Sequence, residues 1–324
     1  MRIASALLIA VALAVGLSGC EPSPALQYNL TISSTDGGTV TEPGEGVLAY
    51  DAGTVVALVA TPAAGYGFLE WTGDVATIAN VSAASTTITM NGDYSIKANF
   101  QRGDAIQFAD ANLEAAIRRA MGLPERPVYP SDLEGLTYLH ASGQNILDLS
   151  GLEHCTRLTG LYLGGNHISD VSPLSALASL TRLYLGDNRI SDIAPLANLT
   201  NLTEIYLYRN QISDISPLSS LANLTRLSLG YNEISDISPL ANLTNLTRLY
   251  IEHNRISYIA ALASLTSLTE LHLGWNQISD IAPLVDNPGL GEGSWVDIRK
   301  NPLSADSIDT CIPQLEARGV HVLH

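Results

Sequence analysis

The sequence predicts an α+β multidomain chain: a small all-β domain, then a helical cap, then a repeat solenoid that lays a parallel β-sheet along its concave side. Three observations carry this. Residues 28–101 hold short β-branched runs broken by Gly, Pro and Asn; residues 111–121 change to a helical period; and Asn recurs every 22 residues from Asn166 to Asn276. At 324 residues and 46% hydrophobic content the chain has material for a large core and for more than one folded unit. Its formal charge of -16 disfavours nucleic acid and anionic headgroups as partners.

The first segment, MRIASALLIAVALAVGLSGC, carries one basic residue, Arg2, before an apolar stretch from Ile3 to Val15. That stretch is too short to span a bilayer and has the layout of a secretory signal peptide over residues 1–19. Leu17-Ser18-Gly19-Cys20 resembles the bacterial lipobox, which implies Cys20 as the lipid attachment site and residues 20–27 as a tether. The expected location is therefore extracytoplasmic, held to a membrane by the N-terminal lipid.

From Tyr28 to Phe100 the runs YNLTIS, TVT, TVVALVATP, TTITM and YSIKANF, with Asp36-Gly37-Gly38 as a turn signal, read as antiparallel strands and hairpins. Ala60 to Gly73, with Tyr66, Phe68 and Trp71, resembles the divergent internalin B repeat. Those three aromatics are expected in the core of so small a domain, rather than as a sugar-stacking platform.

The next segment, 104–135, is expected to close one end of the solenoid. Asp110 caps a helix over 111–121 with Leu113, Ile117 and Ala120 on one face, and Gly122 with Pro124 ends it.

Eight units then run through residues 136–303. Gln144 takes the Asn slot in the first, and Asn301 takes it in the last after an insertion of three residues. The unit L-x-x-L-x-L-x-x-N-x-I followed by SDISPL resembles the internalin-like class of leucine-rich repeat. Strand alternation points Leu183 and Leu185 inward and Tyr184 outward, and stacked units bury what no single unit could. Asn has a structural task, because its amide can satisfy backbone groups where the strand bends away. Asp148, Asp170, Asp192, Asp214, Asp236 and Asp280 form an acidic ladder whose local purpose is to start the turn on the far side. No metal is expected there, since the alternating carbonyl and bidentate ligands of a calcium loop are missing. Residues 304–324 are expected to close the other end, and Cys155 and Cys311 lie too far apart in the stack to form a disulfide.

With the framework letters used for folding, the outward strand positions carry the function. The central column reads His140, Tyr162, Tyr184, Tyr206, Ser228, Tyr250, His272 and Asp297. Beside it run Tyr208, Glu252 and Arg299 among the glycines 164, 186, 230 and 274. Next come Asp187, Arg209, Tyr231, His253, Trp275 and Lys300, and on the other side Tyr138, Arg182, Glu204, Arg226, Arg248, Glu270 and Trp295. Tyr, Trp, Arg and His dominate binding hot spots. The candidate ligand-binding residues are therefore Tyr162, Tyr184, Tyr206, Tyr208, Tyr231, Tyr250, His272, Trp275, Arg182, Arg209, Arg226 and Arg248. A column of Tyr is also a good strand ladder in its own right. The glycines leave room either for a partner or for the neighbouring column.

No serine sits in a nucleophile elbow and no histidine pair has metal spacing, so neither catalysis nor a cofactor is expected. The reading is an envelope-anchored recognition protein that binds a protein partner; a glycan stacked on the tyrosines, or a structural spacer, are the alternatives. The internalin resemblance implies surface adhesion but names no receptor.

Overall fold

A computed structural model of the chain describes residues 25–324; the signal-peptide and Cys20 readings lie outside them. The chain divides into two units, one ending at Arg102 and the other running from Gly103 to His324. No helix among the described residues is long and apolar enough to cross a membrane.

The first unit is all β: β1 (Gln27–Ser34), β2 (Gly38–Glu42), β3 (Gly46–Asp51), β4 (Val55–Pro62), β5 (Tyr66–Gly73), β6 (Ser85–Thr89) and β7 (Tyr94–Arg102). One sheet has the order β3-β1-β7-β5 and the other β2-β4-β6. Leu30, Leu58, Trp71, Ile88, Met90 and Ile96 fill the space enclosed. Trp71 is buried with its indole N–H donating to the Ala83 carbonyl at 3.0 Å, while half-buried Tyr66 and Phe68 pack against the same cluster. The expectation of purely antiparallel pairing needs one correction, because β1 and β7, the first and last strands, run parallel. Local hairpin signals give no information on how the ends of a domain meet.

The second unit opens with α1 (Ala111–Met121), capped by Asp110 and ended by Gly122 in the left-handed region. Leu113, Ala116 and Ile117 form its buried face. Ala120, expected there, is exposed; the i, i+3, i+4 stripe is satisfied one turn earlier by Ala116. Asp110 does more than cap. Its Oδ1 accepts from the backbone N–H of Asn112 and Leu113 at 2.8 and 3.2 Å, and its Oδ2 from Leu147 and Asp148 in the first coil at 2.7 and 3.4 Å.

The coils follow. Three-residue strands β8 (Tyr138–His140), β9 (Gly160–Tyr162), β10 (Arg182–Tyr184), β11 (Glu204–Tyr206), β12 (Arg226–Ser228), β13 (Arg248–Tyr250) and β14 (Glu270–His272) lead, after the short helix α2 (Ala282–Asp286), to β15 (Trp295–Asp297). A π-helical turn at Ser307–Cys311 runs into α3 (Ile312–Ala317), and β16 (His321–Leu323) then adds a ninth strand to a wholly parallel sheet. The C-terminal segment thus extends the sheet as well as covering its end. On the far side of the coils run 3₁₀ turns such as Ser172–Ala176, Ser216–Ser220 and Ser238–Asn242, with Pro in their first turn. The architecture is a leucine-rich repeat solenoid.

One coil shows what builds it. Leu180, Leu183, Leu185, Ile190, Ile193, Leu196 and Leu199 are all at most 1% exposed, packed against their counterparts above and below. The Asn slot ties coil to coil: Asn232 donates to the carbonyls of Leu207 and Leu229 and accepts from the backbone N–H of Ile212. The same three contacts repeat at Asn188, Asn210, Asn254 and Asn276. Each Asp of the acidic ladder accepts from the backbone N–H two residues on, as Asp214 does from Ser216 at 2.8 Å. From Asp170 onward each sits one residue ahead of the N-cap position of its turn, while Asp148 sits three ahead of Gly151. The Ala260–Ser264 turn departs from the motif, with Tyr258 in the Asp slot and Ala261 in the Pro slot. Cys155 and Cys311 are both free and buried, and burial pushes the Cys155 thiol up to about 12.

Candidate recognition surface

Because the parallel pairing is in strict register, every outward position of one strand lies beside its equivalent on the next. Tyr162, Tyr184, Tyr206, Ser228 and Tyr250 are consecutive partners across β9 to β13, and His272 follows on β14. The rings respond to that spacing by stacking. His140 and Tyr162 lie 4.2 Å apart by centroid, Tyr162 and Tyr184 4.5 Å, and Tyr184 and Tyr206 4.2 Å, with planes 10° to 21° from parallel. Tyr250 and His272 resume the series at 4.9 Å. Tyr162, Tyr184, Tyr206, Tyr250 and His272 are half-buried and His140 is exposed; within each run the stacked faces cover one another and the edges meet solvent.

The flanking column carries charge that is already paired. Glu204 stands between Arg182 at 3.6 Å and Arg226 at 3.7 Å, and accepts from the hydroxyls of Tyr184 and Tyr206. Arg248 meets Glu270 at 3.2 Å, and Glu270 also lies 3.4 Å from the His272 ring nitrogen. Burial, then the Glu270 carboxylate, push the Tyr250 phenol up to about 12. In the last coil Asp297, of the central column, pairs with Arg299 at 2.7 Å; burial would raise the Asp297 carboxyl, but the Arg299 hydrogen bonds hold it below the usual range. Tyr184, Tyr206 and Tyr250 are thus held both by stacking along the column and by carboxylates across it.

A second aromatic series occupies the slot directly before Asn. Asp187, Arg209, Tyr231, His253, Trp275 and Lys300 all have φ between 52° and 59°, where the first two coils place Gly143 and Gly165. A side chain held left-handed leaves the sheet along a different line from the strand residues. Tyr231 stacks on His253 at 4.0 Å and His253 on Trp275 at 4.6 Å, with the Arg209 guanidinium 4.9 Å above the Tyr231 ring. Tyr231 and Trp275 are 42% and 40% exposed, more than any tyrosine of the central column, so this ridge is the more accessible of the two.

Two of the glycines between the series, Gly186 and Gly230, are filled from within. A Cβ on Gly186 would collide with the Tyr208 ring, and one on Gly230 with the Glu252 carboxylate. These glycines accommodate the neighbouring strand's side chain and do not stand open for a partner. Glu204, Glu252 and His253 are the residues that sequence reasoning left out of the candidate set. The signal for Glu204 was present, since it is the one acid between two arginines in its column. Among the described residues no group of three or more His, Cys, Asp or Glu is placed to hold a metal ion.

Comparison with known proteins bears on both units. Residues 28–104 match the divergent InlB B-repeat domain, and residues 178–286 match leucine-rich repeats in four overlapping pairs of copies. The chain is similar to the crystal structure of an internalin (inlF) from Listeria monocytogenes, at 34% identity over 67% of this chain and 69% of that one, with a TM-score of 0.54. It is also similar to internalin C2 from the same organism, at 38% identity over 56% of this chain and 91% of that one, with a TM-score of 0.48. No curated protein matches it.

Proposed function

This chain belongs to the internalin family of leucine-rich repeat proteins, and from that premise we propose that it is a recognition protein of the bacterial envelope, anchored through Cys20 and binding a protein partner on the concave face of its sheet. The observation that carries this reading is the composition and rigidity of the face. Two stacked aromatic series, braced by paired arginines and carboxylates, make a preorganised surface rich in the residue types that anchor interfaces.

The glycan reading is the weaker one. Sugar rings stack on open aromatic faces, whereas Tyr162 and Tyr184 present only edges because each face is taken by a neighbour. Edges and hydroxyls suit the mixed polar and apolar surface of a protein.

The test is a chain in which Tyr184, Tyr206 and Arg226 are changed together to Ala, compared with the native chain in protein pull-downs and on glycan arrays. Loss of a discrete protein partner with the fold intact by circular dichroism supports the proposal. Retained capture contradicts it, and a glycan signal that disappears with the substitutions favours the alternative. Anchoring is tested separately: Cys20→Ala should abolish incorporation of labelled palmitate and release the chain from membranes.

A further inference from the structure

The central column has one rung without a ring. Tyr206 and Tyr250 are the two neighbours of Ser228 in the sheet register, and Ser228 is the only small residue between His140 and His272. Elsewhere in this column adjacent rings fill the strand-to-strand spacing at 4.2 to 4.9 Å. Replacing one ring by a serine leaves a slot one ring thick, walled by the faces of Tyr206 and Tyr250, with buried Ser228 as its floor. Arg226, two residues before Ser228 on the same strand, places its guanidinium at the Tyr206 hydroxyl and at Glu204, 3.7 Å away, both on the neighbouring strand.

A second, independent feature lies at one end of the slot. Two residues along β12 from Ser228 is Gly230, and the Glu252 carboxylate lies over it. Glu252 Oε2 is buried and has no hydrogen-bond partner. A buried carboxylate oxygen without a donor is costly, and an incoming donor that met it would relieve that cost. The corresponding carboxylates across the column, Glu204 and Glu270, already have arginines.

We infer that the Ser228 slot receives an arginine side chain of the protein partner, its planar guanidinium stacked between Tyr206 and Tyr250 and donating to Glu252. Arginine meets both requirements, since it is flat enough to replace a ring in a stack and carries a fixed fork of N–H donors for a carboxylate. Lysine satisfies only the second, and a phenyl ring only the first. The inference rests on the proposed recognition of a protein by this face and names its anchoring chemistry.

The probe is a short acetylated, amidated peptide with one central arginine, titrated into the isotope-labelled chain and followed by NMR. Its controls carry citrulline, which keeps the planar shape without the charge, or lysine. Saturable shifts centred on Tyr206, Ser228, Tyr250 and Glu252 are expected, with the citrulline peptide about tenfold weaker, as the loss of a charge-assisted hydrogen bond implies. Glu252→Gln should erase the difference between arginine and citrulline. Ser228→Tyr, which completes the ladder and should leave the chain at least as stable, should abolish binding. Equal binding of arginine and citrulline to the native chain, shifts centred elsewhere, or unchanged binding to Ser228→Tyr would each overturn the inference. The two readings separate cleanly. Capture of a protein through the tyrosine face that is indifferent to Ser228→Tyr keeps the recognition reading and removes the slot. Arginine-peptide binding without any protein captured keeps the slot and removes the recognition reading.

Discussion

Tyr184 and Tyr206 stack with ring centroids 4.2 Å apart and planes 10° from parallel, and both hydroxyls donate to the same oxygen of Glu204, at 3.1 and 3.3 Å. One carboxylate thus fixes two rings and, through Arg182 and Arg226, the charge beside them. Glu204→Ala should cost about 1–2 kcal/mol, because two phenols and two guanidinium groups lose a common acceptor. Urea denaturation at neutral pH measures it; an unchanged midpoint would mean that the four groups do not depend on that carboxylate.

Asn232→Ala removes two donors and an acceptor that join two successive coils, and strands the carbonyls of Leu207 and Leu229 and the N–H of Ile212 in the core. A loss of about 2–4 kcal/mol is expected. Hydrogen exchange should show the deprotection concentrated in the coils around β11 and β12, since repeat stacks are held by nearest-neighbour contacts.

The pH response of the N-terminal end rests on Asp110. Burial would raise its carboxyl, but the N–H groups of Leu147, Leu113, Asn112 and Asp148 hold it below the ordinary value of about 3.9. A carboxyl depressed on folding contributes fully above its unfolded value, and the contribution is lost as pH falls through the folded one. Asp110→Asn should therefore lower stability at pH 7 by about 1–2 kcal/mol while flattening the decline below pH of about 4. Thermal melts of both chains from pH 3 to 7 show whether the curves converge at the acid end; parallel curves would count against this assignment.

The slot before Asn is left-handed in every coil, whatever residue fills it. Gly165→Ala should cost about 1–2 kcal/mol, and Asp187→Gly should be neutral or stabilising by up to about 1 kcal/mol, since the contacts it loses, to Arg209 at 3.8 Å and to Tyr208, join exposed side chains. The opposite signs for neighbouring coils are the diagnostic feature, read from denaturation midpoints.

Much of this was legible in advance because the repeat converts sequence position into spatial position. Once Asn166 and Asn188 are aligned, Tyr162 and Tyr184 must be neighbours, and a parallel register makes the columns literal. The helix over 111–121 was equally plain from Asp110 and Gly122. Contacts set by side-chain rotamers stayed hidden. Nothing in the letters says that Tyr208 lies back over Gly186 or that Glu252 lies over Gly230, and the left-handed slot is obvious only where it holds glycine. The parallel pairing of β1 with β7 was illegible for a different reason, since it joins segments more than sixty residues apart with no local signal.

The most direct test of the account is photo-crosslinking on intact cells from a benzophenone side chain placed at Tyr206, with Tyr258, beside the 3₁₀ turn Ala260–Ser264 on the far side of the coils, as the control position. The account predicts a discrete protein adduct from position 206 that unlabelled native chain competes away, and none from 258. Equal adducts from both positions, or none from 206 while the chain remains folded and membrane-bound, would contradict it.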